Sequence, residues 1–462
     1  MNDNNLTIHN GKSEHALVVV ALMLLGIIAL NVLYQWSVPN QFRKFEYVGL
    51  YEKNITQIQR ENPYKLLLPL KPDGPHTDRI RWVSSSLIPA VYLAIYIGPY
   101  KTHVLITSLL VIVAFCCSYL VLRSPPFSFF FSIMIIINPG LIFTHRYFFA
   151  EVMVFMYIYM CLNFFAFCKS LILPENKMTP YLLLFAVSLV LLETTSELCL
   201  NYVICITVLC ILAFFYYWRN GSIQRTIFLR RIFILLSIIF VITAVYLAIR
   251  MQYFGEFVKK GHEEELLFTY PSIVEMIECL ISNVVVFIFM SLTAFLPPFL
   301  SFPNALTLFG REAIIEHYYG AHQTLSEHYF YHNLFLWYQA AGMVFLAYMA
   351  CVVKTFCRAY KNNSTTYWIV FGFLATIFLG NATYFLIKIR PYLALPILCY
   401  KSSVSLFFLT ILTSYLVWKA ESWFNNKKLY YVMYAVILTT ITVSCYVRIF
   451  YVLELFRYIS SG

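Results

Sequence analysis

Residues 198–218 read LCLNYVICITVLCILAFFYYW, 21 residues without one Asp, Glu, Lys or Arg. As a helix this run is about 30 Å long, the thickness of a bilayer's hydrocarbon core. A soluble helix of that length needs a polar face, and this one has none. Other apolar runs long enough to cross fall at 16–36, 104–122, 126–143, 148–168, 179–194, 232–252, 334–353, 367–387, 391–418 and 429–451, so the sequence predicts eleven crossings. Two more segments are of a different kind. Residues 84–98, SSSLIPAVYLAIYIG, are short and hold Pro89, and read as a helix lying in the interface. Residues 273–300 carry Glu275, Glu278, Asn283 and the pair Pro297 and Pro298, the composition of a re-entrant element packed against protein. The expected fold is therefore all-α and polytopic, with 11 to 13 membrane segments.

Composition agrees with a bilayer as solvent. Hydrophobic residues make up 61% and charged residues 12%, and mean hydropathy is +0.72, far from the balance of a water-soluble chain. The 36 Tyr and 42 Phe suit interfacial belts. A net charge of +11 is, in such a chain, first a topology signal and then a hint of anionic lipid or phosphate; nucleic acid is not implied. Cys116, Cys117, Cys161, Cys205 and Cys210 lie in apolar runs without metal-ligand spacing and read as small buried hydrophobes. Ala16 to Trp36 is too long for a signal peptide and has no small-residue cleavage site, so it reads as a retained span.

Lys and Arg in short loops set the orientation. With the N-terminus cytoplasmic, Arg123, Lys169, Lys177, Arg219, Arg225, Arg230, Arg231, Lys354, Arg358, Lys361, Lys419, Lys427 and Lys428 all fall inside. Most acids and histidines then fall outside, which is where chemistry is expected. The chain reads as a single transmembrane domain, 1–462, with a first outer loop at 37–103 and a second outer region at 253–333. It shows no internal repeat.

Several outer groups are candidates. Glu46 follows the first span and Asp78 stands beside Arg79 and Arg81; each can take a proton from a hydroxyl or bind a metal, although a solvated loop explains any single acid there. In NPGLIFTHRYFFAE, His145 and Arg146 precede Glu151, an acid at the mouth of an apolar helix, where a charge needs a cavity or a partner. Glu193 and Glu197 sit four apart on a short turn; they repel, so one faces solvent or both serve a cation or amine, and the solvated reading is the simpler. His328 and His332 share a helix face without a carboxylate to complete a metal triad. In YFLIKIRPYLALP, Lys388 and Arg390 stand where a guanidinium can grip a phosphate at the lipid surface, or simply anchor a helix end.

These residues resemble the C-type (GT-C) superfamily of integral membrane glycosyltransferases: an acid soon after the first span (KFEYVGLYEKN), an interfacial helix after an Arg-rich stretch (DRIRWVSSSLIP), an acid at an outer helix start (HRYFFAE), and a late Arg-x-Tyr and Pro element (IRPYLALP). The resemblance implies a polyprenyl-phosphate-linked sugar donor and transfer to a glycan acceptor on the outer face, as in enzymes that modify O-antigen on lipopolysaccharide. It implies Glu46 as base, Glu151 as supporting acid, and Arg390 as phosphate clamp. It allows a divalent cation at the first-loop acid, but a lone Glu46 followed by Tyr47 departs from the Asp or acid pair usual there, and leaves metal need open. HYFYHNLFLWYQAAG also resembles a stretch of O-antigen polymerases and ligases, in which His332 would be catalytic. A transporter or flippase of lipid-linked sugars is the reading from another class; its acids would sit near the midplane and its halves would often repeat.

Overall fold

A computed structural model describes residues 10–37, 97–141, 151–195, 199–219, 225–254, 272–292, 365–385, 402–420, 427–432 and 434–439. Among the described residues the secondary structure is helical, with no strand. The helices are α1 (Asn10–Ser37), α2 (Pro99–Leu122), α3 (Pro125–Ile136), α4 (Glu151–Ile172), α5 (Thr179–Thr195), α6 (Cys199–Arg219), α7 (Arg225–Phe254), α8 (Ile273–Leu292), α9 (Thr365–Leu379), α10 (Ala382–Phe385) and α11 (Ser403–Ala420). Residues 427–432 and 434–439 are also helical.

Four stretches, Tyr100–Leu122, Met153–Ile172, Cys199–Trp218 and Thr226–Ile249, are long and apolar enough to cross a membrane. Their outward faces are apolar too: Phe233 is 73% exposed, Phe240 75% and Leu105 52%. A water-soluble surface does not tolerate apolar faces of that size. The protein is a helical membrane protein.

Local chemistry explains the reversals. α2 opens after Gly98, whose φ of 88° an L side chain rarely adopts, and Pro99 then occupies the first turn, where a missing N–H costs nothing. It closes at Arg123, left-handed at φ 53°, whose N–H bonds the Tyr119 carbonyl while its guanidinium lies 5.7 Å from the Tyr119 ring centroid. Pro125 and Pro126 restart the chain as α3 at once. The sequence predicts a span over 126–143, but α3 stops at Ile136, and 12 residues rise only about 18 Å. Pro139 has no N–H to continue the ladder, and the chain tightens into the 3₁₀ turn Pro139–Leu141. The expected re-entrant stretch begins as one unbroken helix, α8, so any reversal there falls beyond Leu292, outside the described residues.

With apolar lipid outside, burial alone does not hold helices together, and the interior supplies polar and aromatic contacts instead. Asn163 donates from Nδ2 to the Phe185 carbonyl at 2.8 Å and the Ser188 hydroxyl at 3.0 Å, while Tyr202 donates to Asn163 Oδ1 at 3.1 Å. These bonds tie α4, α5 and α6. Phe164, Tyr202, Phe373, Phe407 and Phe408 pack ring on ring around them, with Tyr202 and Phe408 stacked at 5.8 Å. Asn31 likewise donates to Thr107 and Ser108 between α1 and α2.

Contacts sort the helix termini into two ends. At one, Tyr217 stacks on Phe228 at 3.9 Å, the Tyr216 and Thr365 hydroxyls meet at 2.9 Å, Arg231 donates to the Leu171 carbonyl, and Tyr434 donates to the Pro126 carbonyl. Arg123, Lys169, Lys177, Arg219, Arg225, Arg230, Arg231, Lys419, Lys427 and Lys428 all gather there, with Lys12 at the start of α1. The other end holds only Lys101 and Arg250 among the described basic residues, and it is where buried polar side chains concentrate.

Two glycines separate close packing from lipid contact. A Cβ at Gly380 would lie 2.7 Å from the Ser405 backbone nitrogen and 3.0 Å from its Cα, whereas one at Gly26 meets nothing within 4 Å. Gly380→Ala is expected to destabilise the protein by about 1–3 kcal/mol, and Gly26→Ala to leave it unchanged or slightly stabilised. Thermal unfolding of the two purified variants in one detergent checks both.

Candidate functional site

The non-basic end is built around Asn138, which follows α3 and is 1% exposed. Its Oδ1 accepts the Gly140 N–H at 2.8 Å, a local turn that holds Pro139–Leu141 in place. Its Nδ2 donates to Thr410 Oγ1 at 3.1 Å and to the Leu406 carbonyl at 3.3 Å, across to α11. The Tyr157 hydroxyl, from α4, lies 3.0 Å from both Asn138 Oδ1 and the Ser403 carbonyl. One side chain thus ties the end of α3, the first half of α4 and the start of α11. Gly140 is the residue that fits: an added Cβ would stand 2.6 Å from the Tyr157 hydroxyl, 2.9 Å from Ser403 Oγ and 3.0 Å from Asn138 Oδ1.

Similar contacts continue round the same end. Asn201, at the start of α6, accepts the Thr383 N–H with its Oδ1 at 3.1 Å. Ser405 donates to the Ile377 carbonyl at 2.7 Å, and Asn283 reaches the Phe385 carbonyl at 3.5 Å. His103 Nε2 meets Gln35 Oε1 at 3.0 Å where α1 and α2 approach this end.

Glu193 is 2% exposed, with Thr243 of α7 donating to its Oε1 at 2.6 Å, so of the pair Glu193 and Glu197 it is not the one that faces solvent. Of the described acidic side chains Glu175, Glu275 and Glu278 are exposed, and Glu193 is the buried one. It is buried because α7 crosses over the end of α5, a packing that spacing along α5 cannot reveal. Its partner in the repulsion argument, Glu197, lies outside the described residues.

Glu46, Asp78, Arg81, Arg146, His332, Lys388 and Arg390 also lie outside the described residues. Glu151 is the first residue of α4, whose opening turns belong to the same end as Asn138. Chain connectivity still sorts the rest. Segment 38–96, with Glu46, Asp78 and Arg81, joins α1 to α2; segment 142–150, with Arg146, joins Leu141 to Glu151; segment 386–401, with Lys388 and Arg390, joins Phe385 to the start of α11. All three are tethered at both sides to the polar end. Segment 293–364, with His332, joins the end of α8 to Thr365.

Sequence reasoning missed Asn138, Tyr157, Asn201, Ser402 and Ser403. An Asn before Pro and Gly reads as a turn, and Ser or Tyr in an apolar run carries no signal until its partners are known. Among the described residues no group of three His, Cys, Asp or Glu could hold a metal. No family model matches the chain, and no curated protein matches it.

Replacing Asn138 by Ala strands the Gly140 N–H and removes the contact to α11, a loss of about 2–4 kcal/mol for buried groups left unpaired. Tyr157→Phe is expected to cost about 1 kcal/mol. The double variant should cost less than the sum, because both act on one network. A double-mutant cycle by thermal unfolding in detergent measures it.

Proposed function

We propose that this chain is a membrane glycosyltransferase of roughly eleven to thirteen membrane segments, moving a sugar from a polyprenyl-phosphate donor to a surface glycan acceptor of the O-antigen or lipopolysaccharide type. The observation that carries this reading is the tethering of three segments to one polar end: those bearing Glu46 with Asp78 and Arg81, Arg146 with the start of α4 at Glu151, and Lys388 with Arg390. Acids and cations on segments joined at both sides to one end of the bundle are what a reaction at a lipid surface requires.

The chemistry assigns each a task. The acceptor hydroxyl gives its proton to Glu46 as its oxygen bonds the anomeric carbon of the donor sugar. The bond from that carbon to the phosphate oxygen breaks, and Arg390, helped by Lys388 and Arg146, takes up the charge that develops on the departing polyprenyl phosphate. Glu151 supports at the helix mouth, Asp78 and Arg81 belong to the same segment of the chain as the base, and the prenyl tail stays in lipid. The basic end is cytoplasmic in this reading, because Lys and Arg are retained on that side, and the polar end faces outward from a plasma membrane, the inner membrane of a bacterium.

The test is transfer of a labelled sugar from synthetic polyprenyl-phosphate glucose to lipopolysaccharide in proteoliposomes. Wild type is expected to transfer, Glu46→Gln to lose at least about 100-fold, the scale of a lost proton acceptor, and Arg390→Ala to lose a similar factor, while His332→Ala retains activity. Activity with a preassembled lipid-linked glycan alone, and dependence on His332, would point to a polymerase or ligase. Movement of the lipid across the bilayer without transfer would establish a transporter and overturn the enzyme reading.

A further inference from the structure

Glu193 is the buried acid that the reading above leaves without a task. Its Oε1 accepts from Thr243 at 2.6 Å, but its Oε2, equally buried, has no hydrogen-bond partner among the described residues. Stability alone selects an apolar side chain at such a position, since a buried carboxyl with an unused oxygen is costly. The surroundings are asymmetric. α5 ends two residues later at Thr195, while α7 runs on from Thr243 to Phe254, rising about 16 Å further. Glu193 therefore stands at the foot of a helical wall at the polar end.

A second observation indicates what kind of ligand belongs there. At the same end Asn201 Nδ2 and Ser402 Oγ are buried, each residue 0% exposed, and have no hydrogen-bond partner among the described residues. The end thus offers unused acceptors at Glu193 Oε2 and Ser402 Oγ together with unused donors at Asn201 Nδ2 and Ser402 Oγ. A metal ion would engage acceptors only and leave the Asn201 amide N–H unused, and a phosphate would engage donors only and leave the Glu193 oxygen unused. A sugar answers both, because every hydroxyl donates and accepts.

The geometry points to Glu193 as a binding carboxyl for a glycan, its Oε2 accepting a hydrogen bond from a sugar hydroxyl. The assignment rests on the glycosyltransferase reading for the identity of that glycan. Glu193 holds the sugar and takes no proton from the reacting hydroxyl.

Two measurements decide it. In the transfer assay Glu193→Gln keeps the size of the side chain and the Oε1 acceptor for Thr243, but turns the second position from acceptor into donor. KM for donor or acceptor is expected to rise roughly 10- to 100-fold, as for a lost bond to a carboxylate, with kcat within about threefold; Glu193→Asp recovers part of it. Unchanged KM in a variant that elutes as a single species overturns the proposal and leaves the glycosyltransferase reading standing. Should wild type transfer nothing, or Glu193→Gln fail to fold, the second measurement decides. Wild-type protein in proteoliposomes is treated with dicyclohexylcarbodiimide, an apolar reagent for membrane carboxyls, and the adduct at Glu193 is followed by peptide mass spectrometry. Protection by polyprenyl-phosphate glucose or by lipopolysaccharide oligosaccharide supports a glycan site. A carboxyl that neither protects, or that does not react, overturns it.

Discussion

The amide of Asn138 is the contact on which the architecture of the polar end depends. In a bilayer no water is at hand to satisfy a chain that leaves its helix, so a break must be repaired by other parts of the protein. α3 ends at Ile136, and the repair is made by the Asn138 side chain, which bonds forward to Gly140, sideways to Thr410 and the Leu406 carbonyl, and to the Tyr157 hydroxyl. The shortness of α3, the tight turn after it and the close seat of α11 follow together. Gly140 has to be small because three polar groups already fill the space a side chain would occupy.

A structure repaired in this way concentrates polarity at one end, and that polarity has consequences. The long interior contacts between α4, α5 and α6 are set by Asn163 and Tyr202 deep in the bundle, and they leave the ends free to differ. The basic end is dominated by guanidinium and ammonium groups with aromatic partners, as where Arg231 lies 5.5 Å from the Phe228 ring centroid. The exposed contact of Arg230 with Glu175 at 4.0 Å adds little to stability. The polar end is dominated by amides, hydroxyls and one buried carboxyl.

Glu193 shows how burial changes the meaning of a residue. Beside Glu197 on a short turn it is one of two repelling acids, and solvent is the simplest place for it. Under α7 it is a desolvated carboxyl with one bond made and one position unused. Both descriptions use the same residue, and the difference is a helix that starts thirty-two residues later in the chain at Arg225. The exposed acids Glu275 and Glu278 of α8, by contrast, need no such account.

By itself the sequence determined the helical class, the bilayer as solvent and the clustering of basic residues, because each depends on composition within a single segment. The run at 198–218 reads as a helix long and apolar enough to cross a bilayer, and α6 occupies Cys199–Arg219. Charge on short loops is equally local, so Arg123, Lys169 and Arg231 were legible as one group. Tertiary structure decided what depended on partners distant in the chain. Asn138 bonds a residue 272 positions away, Tyr157 one 246 away and Asn201 one 182 away, and no spacing rule connects them. The early end of α3 was half legible in Pro139 and Gly140, but the amide that makes the break tolerable was not. The physical reason is that an apolar segment advertises its solvent in its own residues, whereas a hydrogen bond inside lipid is a property of two segments and exists only once they have met.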